Sequence, residues 1–276
     1  MKILAIGDFH GKFPKKLERE AKKADLVLSI GDFGGSKKLL KIVFKHLHKG
    51  WWKVVEKKKA REYILEDYNS GKKVIRALNK IGVPVYTIHG NWDFEGRKKE
   101  RTGGVKVVNY SHLMKKMKNM NFLRKRIVNI KGMIVYAFGG YVIPDVALTK
   151  KGGHNKIKIK RFKKEYAKSK KQLFNKPGKN IDILLAHYPP YGYFDVVKYK
   201  GENPRNGQHV GFKPYTQYIK KYKPKLFICG HMHEYQGKAK LGNTIIVSTG
   251  PAEEGKAAII EFDERKKKVG KIRFVK

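Results

Sequence analysis

The chain reads as an α/β protein, and three observations predict it. Apolar runs that end in turns alternate with stretches of helical spacing through most of the chain. Apolar runs then crowd together after residue 225. Five short fragments (GDFHG from Gly7, GDFGG from Gly31, HGNWD from His89, AHYPP from Ala186 and CGHMH from Cys229) each place an Asp, His or Asn beside a turn. Layered α/β folds carry their ligands at the carboxyl ends of strands, where side chains from distant sequence can meet.

Residues 2–6 are apolar-rich and form the first expected strand, ending at Gly7-Asp8. Residues 13–24 follow as a helix, with Pro14 suited to its first turn. Residues 26–30 make a second strand, ending at Gly31-Asp32. Residues 37–47 space Leu39, Leu40, Val43, Phe44 and Leu47 as a helix does. Residues 51–81 predict one or two more helices, with Val54, Val55, Ile64, Leu65, Val74, Ile75 and Leu78 as core positions and Asn69-Ser70-Gly71 as a break. Together residues 37–80 form a helical insert. A third strand spans residues 83–88, and Leu113, Met117 and Met120 suggest a short basic helix or an irregular turn.

Residues 127–130 and 133–138 flank Lys131-Gly132 as a hairpin. Residues 156–174 are an amphipathic helix with a strongly basic face, either solvated or in contact with phosphate. Residues 181–186 are a strand ending at His187, and the stretch from 188 to about 212 is a long loop rich in Pro, Gly, Asn and Tyr. A helix over 214–222 and strands over 225–229, 235–239, 244–248, 257–262 and 271–275 complete the order. With no repeat and no clear linker, residues 1–276 are expected to form one domain.

The 276 residues are 41% hydrophobic, enough for a sizeable core. The single cysteine, Cys229, excludes an internal disulfide and reads as a small buried hydrophobe. No signal peptide is evident, and no apolar run approaches the roughly 20 residues of a membrane span, so a cytoplasmic location is expected. Lys and Arg total 64 against 23 Asp and Glu, a net charge of +41. Acids are too few for ion-pair networks to employ most of the lysines. Such a field attracts polyanions, nucleic acid or anionic membrane, unless it reflects a general basic or solubility bias.

Asp8 and His10 lie two apart after the first strand, a spacing that lets both reach one ion, and His231 and His233 repeat the device. Asp32, Asn91 and His187 each sit alone at another strand end. Any one of them would pass for an ordinary turn residue. Together they offer the imidazole and oxygen ligands that suit Zn, Mn or Fe.

In order, Asp8-Phe9-His10, Gly31-Asp32, Gly90-Asn91-Trp92-Asp93, His187 and Gly230-His231-Met232-His233 resemble the motifs of the calcineurin-like metallophosphoesterase family. The resemblance spans residues 7 to 233 and implies a double β-sandwich, four layers in the order αββα. It implies two divalent metal ions, Mn foremost with Fe, Zn or Ni as alternatives. Asp8, His10 and His233 would hold one ion, Asn91, His187 and His231 the other, and Asp32 would bridge them. A hydroxide between the ions would attack phosphorus in line. Asp32, Asn91, His187 and His231 thus carry the expected catalysis.

Trp92 departs from the pattern, because many members carry at that place a His that protonates the leaving oxygen. Indole cannot do so, and a general acid is worth about 10²–10⁴-fold in rate. Asp93 would then serve as a cap or hydrogen bonder. Replacement donors are His209, His89 and His112. Trp92, or Tyr188 and His209 in the long loop with Tyr191, Tyr193, Phe194, Lys198, Lys200 and Arg205, are candidates to hold substrate. The function expected is a phosphodiesterase acting on nucleic-acid or nucleotide diesters. The alternatives are a basic nucleic-acid-binding protein with weak catalysis on the same scaffold, or a small-molecule phosphomonoesterase.

Overall fold

Alternation along the first strand dictates the layers. The computed structural model describes residues 1–46, 51, 54–95, 105, 107–149, 152–175, 180–198 and 205–276. In β1 (Lys2–Ile6), Ile3 and Ala5 face one way and Leu4 and Ile6 the other, and all are buried. A strand buried on both faces needs a covering layer on each. Ile3 and Ala5 meet Val135, Ala137, Ile183, Leu185 and Ile228 of a second sheet. Leu4 and Ile6 meet Leu17, Ala21, Ile64 and Ile75 of the helices outside the first.

Among the described residues the strands are β1, β2 (Leu26–Ser29), β3 (Val85–Thr87), β4 (Met120–Phe122), β5 (Arg126–Ile130), β6 (Met133–Phe138), β7 (Ile183–Ala186), β8 (Leu226–Cys229), β9 (Gly237–Leu241), β10 (Thr244–Ser248), β11 (Ala257–Asp263) and β12 (Lys268–Val275). The first sheet runs β12-β11-β1-β2-β3-β4 and the second β5-β6-β7-β8-β10-β9. In each, a block of parallel strands, β1 to β4 and β6-β7-β8-β10, is bordered by antiparallel ones. Parallel pairing brings the carboxyl ends of each block to one edge. The loops after β1, β2, β3, β7 and β8 therefore gather there.

The outer layers follow from apolar helix stripes. Against the first sheet lie α1 (Lys15–Lys22), α2 (Lys37–Lys45), α3 (Lys57–Lys80) and α4 (Tyr110–Met114), burying among others Leu17, Leu39, Ile64 and Tyr110. Against the second lie α5 (Lys156–Phe174) and α6 (Lys213–Tyr222), through Leu173, Tyr215, Tyr218 and Ile219. The αββα double sandwich is the fold.

Several elements differ from expectation. Pro14 is the extended N-cap of α1, one place before the first turn. The expected break at Asn69-Ser70-Gly71 is absent: α3 is continuous, and its small residues serve close packing. Val54 and Leu65 are exposed instead of core. The stretch read as a short helix or turn is α4 followed by β4, whose place beside β3 is fixed by Asn119 accepting from Val85 N (2.7 Å) and bonding Asn79. Strand β9 begins two residues later than expected and β12 three earlier. Leu47 and Lys200 lie outside the described residues.

Candidate metal centre

The loops after β1 and β2 run on together past the end of the sheet. Asp8 N donates to Gly31 O (3.0 Å), Phe9 N and His10 N to Asp32 O (2.9 and 3.1 Å). This pairing puts Asp8, His10 and Asp32 on one rim, at the cost of left-handed backbone at all three (φ 54°, 40° and 56°). His231 shares that conformation (φ 67°), and its N–H donates to Asp8 Oδ2 at 2.9 Å. Gly90 is required by proximity, since a Cβ there would stand 2.1 Å from Asp32 Oδ1.

The seven residues converge. Nε2 of His10 and Nε2 of His233 approach to 3.2 Å. Ligand atoms of Asp8, His10 and His233 all lie within 4.8 Å of one another, and so do those of Asp8, Asp32 and His187. His187 Nδ1 donates to Ile30 O at 3.0 Å, which turns Nε2 toward Asn91 Oδ1 (2.8 Å) and Asp32 Oδ2 (3.4 Å). The His231 ring packs 5.1 Å from that of His187.

A divalent ion fits this donor set. Asp8 Oδ1 is buried without a hydrogen-bond partner, and buried polar atoms are rarely left so. Nε2 of His10 and Nε2 of His233, 3.2 Å apart, are close enough to serve one ion as adjacent ligands. The side-chain charges speak the same way. Burial lowers His231 far below the usual imidazole value, with the charge of His187 adding to it. Burial also opposes charge on His187, but Asp32 overrides it and lifts His187 to about 9. Burial would raise Asp32, yet His187, His10 and the Trp92 N–H hold it below the carboxylate range. The acids thus draw positive charge onto an imidazole that a metal would otherwise use as a ligand.

Asp93 and Trp92 both hydrogen-bond to the Asp32 loop. Asp93 accepts from the backbone N–H groups of Asp32, Gly90 and Phe33, each at 2.8 Å. Burial and the Asp32 charge nevertheless push its carboxyl up to about 7. Trp92 N donates to Asp32 Oδ1 (2.7 Å) while its indole Nε1 donates to Asp67 Oδ1 on α3 (2.9 Å). The indole, partly buried, packs against the first outer core. Sequence reasoning missed Asp67; the available signal was an acid in the apolar stripe of α3, three residues after Ile64.

Tyr188 backs the site, buried, with its ring 3.9 Å from that of His231. Tyr141, also missed, stands 53% exposed and edge-on to Tyr188 at 6.0 Å, just past the glycine pair that ends β6. His209 pairs with Asp195 (2.8 Å), and its ring lies tilted against that of Tyr191 at 5.0 Å within the long loop. His112 is exposed on α4. Burial, with the charges of Lys125 and His187, lowers His89 to about 4, a poor setting for a protonated donor. Of the loop cations, Lys198 lies over the Tyr235 ring (5.4 Å), and Arg205 reaches His154 (3.4 Å).

Comparison with known proteins places this arrangement. The calcineurin-like phosphoesterase family model matches residues 1–235. An uncharacterized protein of Methanocaldococcus jannaschii is 27% identical over 260 residues, 91% of this chain and 88% of its own. One crystal structure superposes with a TM-score of 0.62 at 21% identity, covering 99% of this chain and 97% of the other. The phosphopantetheinyl hydrolase of Mycobacterium tuberculosis does so with 0.52 at 11% identity, covering 91% and 90%. At such identities the structures speak to the fold, while the family match covers most of the chain and all five fragments. The chain belongs to the calcineurin-like phosphoesterases, a family of metal-dependent hydrolases of phosphate esters.

Proposed function

We propose that the protein is a dinuclear phosphodiesterase acting on nucleic-acid or nucleotide diesters. The observation that carries the reading is the convergence of Asp8, His10, Asp32, Asn91, His187, His231 and His233 on one rim, in two overlapping groups of ligand atoms. Asp8, His10 and His233 would hold one divalent ion, and Asn91, His187 and His231 the other. Asp32 lies between the groups, 3.4 Å from His187 and 4.0 Å from His10, and suits a bridge. Asp8, shared by both groups, is a second candidate for that place. When bound, such ions supply an activated water and neutralise the phosphoryl oxygens.

The chain's own part is positioning. The Ile30 carbonyl keeps the proton of His187 on Nδ1 and so presents the lone pair of Nε2. Asp93 ties Gly90 to Asp32 and Phe33, so the Asn91 turn and the Asp32 turn move as one. Trp92 gives the leaving oxygen no proton, which favours leaving groups that need none. Diesters with acidic leaving alcohols meet that demand, whereas the sugar alkoxide of a nucleic-acid diester takes its proton from a donor other than Trp92. The exposed Tyr141 ring beside Tyr188 offers a face to a nucleobase.

The test is hydrolysis of an aryl phosphodiester and an aryl phosphomonoester with and without manganese. The expected result is manganese-stimulated cleavage of the diester in preference to the monoester, lost by at least about 10²-fold in Asp32→Asn and in His231→Ala. Full activity in either variant, or preference for the monoester, overturns the reading.

A further inference from the structure

We propose that the outer face of α5 is a track for a single-stranded polynucleotide, leading past Lys125 into the metal cleft beside His89. The proposal rests on the phosphodiesterase reading and names the substrate that reading would serve.

Helix α5 carries nine basic residues and one acid in 19 positions. That acid, Glu165, is taken by Arg161 at 2.8 Å. Helix α1 shows the contrast: there Lys22 meets Glu18 (2.8 Å), and Glu20 is met by Lys23 (3.4 Å) and by Arg273 (2.6 Å). On α5, Lys160, Lys164, Lys168 and Lys171 are exposed and recur at spacings of four, four and three. That spacing makes one stripe about 16 Å long with a charge every ~6 Å. Like charges at such spacing destabilise a helix unless something anionic lies along them. The opposite face is fixed inward by Leu173 and by Tyr166, whose hydroxyl donates to Asp145 (3.1 Å) and whose ring packs on Phe212. The stripe therefore faces solvent.

The stripe is continuous with the site. Lys168 is the charged neighbour of Lys125. Lys125 Nζ donates to Gln172 Oε1 on α5 (3.0 Å) and lies over the Phe138 ring (4.4 Å) at the end of β6. Two residues on, Gly140 N donates to His89 O at 2.7 Å, and His89 precedes Gly90-Asn91. The His89 ring stacks on Phe122 at 5.7 Å, two residues before Arg124 on the same segment, and its buried Nδ1 has no hydrogen-bond partner. Cations thus step from helix to cleft. Asp8, Asp32 and His187 are buried while His10, Asn91, His231 and His233 are partly exposed, so the scissile phosphate has to reach into the cleft, which costs a flexible single strand less than a stiff duplex.

The test is fluorescence anisotropy of a labelled ~20-nucleotide single strand in chelator, so that binding is read without hydrolysis and its salt dependence is measured. Lys160→Glu/Lys164→Glu/Lys168→Glu is compared with Lys57→Glu/Lys58→Glu/Arg61→Glu, an equal change of charge at exposed positions of α3. Circular dichroism and thermal melting establish that both fold. The α5 variant is expected to bind at least about 10-fold more weakly and to lose about 2 from the salt slope, near 0.7 for each of three phosphate contacts. The α3 variant is expected to lose less than about 3-fold. Equal losses in the two variants overturn the track, as does a blunt duplex of the same length that binds as tightly as the single strand. Loss of binding to anionic phospholipid vesicles alone, with oligonucleotide binding intact, overturns it in favour of a membrane surface. Aryl-diester hydrolysis by the wild type is scored apart. Its absence would remove the phosphodiesterase reading without touching the binding contrast.

Discussion

Asp8, His10, Asp32 and His231 hold side chains where the backbone favours glycine, with φ between 40° and 67°. Left-handed backbone costs a residue with a Cβ about 1–2 kcal/mol. Substitution should expose that cost at His10, whose side chain has His233 as its near neighbour and whose Nδ1 has no hydrogen-bond partner. His10→Gly is expected to be more stable than His10→Ala by about 1 kcal/mol, the reverse of their order in a helix. Both variants should lose manganese-dependent activity. Thermal melting decides it, and an alanine variant as stable as the glycine one would remove the strain. The positions themselves were legible, because a ligand beside a turn after an apolar run is a local pattern. Their partners were not: Asp67 reaches Trp92, and Asp93 reaches the N–H groups of Asp32 and Phe33, across separations that no spacing rule reports.

At the level of elements, α3 shows how a turn-like tripeptide survives inside a helix. Gly71 lets Tyr110 and the loop after β2 approach, for a Cβ there would lie 2.0 Å from the Tyr110 hydroxyl and 2.9 Å from Gly34 N. Ser70 turns its hydroxyl back to Asp67 O (2.7 Å) and also accepts from Gly35 N (3.0 Å), so the polar group is satisfied within the packing. Gly71→Ala is expected to destabilise by about 1–3 kcal/mol, although alanine is the better helix former. Tyr110→Phe should recover part of that loss by removing the clashing oxygen. Denaturant unfolding of the two single variants and the double variant measures both; additive effects would show that the two sites do not meet. Local punctuation misled here because it describes an isolated chain, and tertiary contact decides the outcome. Strand β4 was missed for a related reason, being only three residues long and defined by its pairing with β3.

For the whole molecule, the layers were readable in outline but their closure was not. Alternation and spacing identify strands and helices, and the motif resemblance supplied the double sandwich. Beyond the apolar core between them, the two sheets are joined by long-range bonds at the rim. Gln236, three residues after His233, points its amide Nε2 at Thr249 O (3.1 Å), Ala257 O (3.2 Å) and Val275 O (2.8 Å). It ties the His231–His233 turn to β11 and to the end of β12. Gln236→Glu would set a carboxylate against three carbonyl oxygens. It is expected to cost more than Gln236→Ala, by about 1–3 kcal/mol. A glutamate variant at least as stable as the alanine one would show that the amide is not a fastening point.

The indole of Trp92 has an optical consequence. Trp92 is one of three tryptophans in the chain, its ring is fixed to Asp67, and its own N–H touches Asp32. Its emission is therefore wired to the ion site and should respond as manganese is titrated in. Trp92→Phe should abolish that response while the emission of the other two persists. A titration with no fluorescence change in the wild type, alongside metal uptake measured by elemental analysis, would show that the indole does not sense the ions. A change that tracks metal uptake would make Trp92 an optical reporter of metal occupancy.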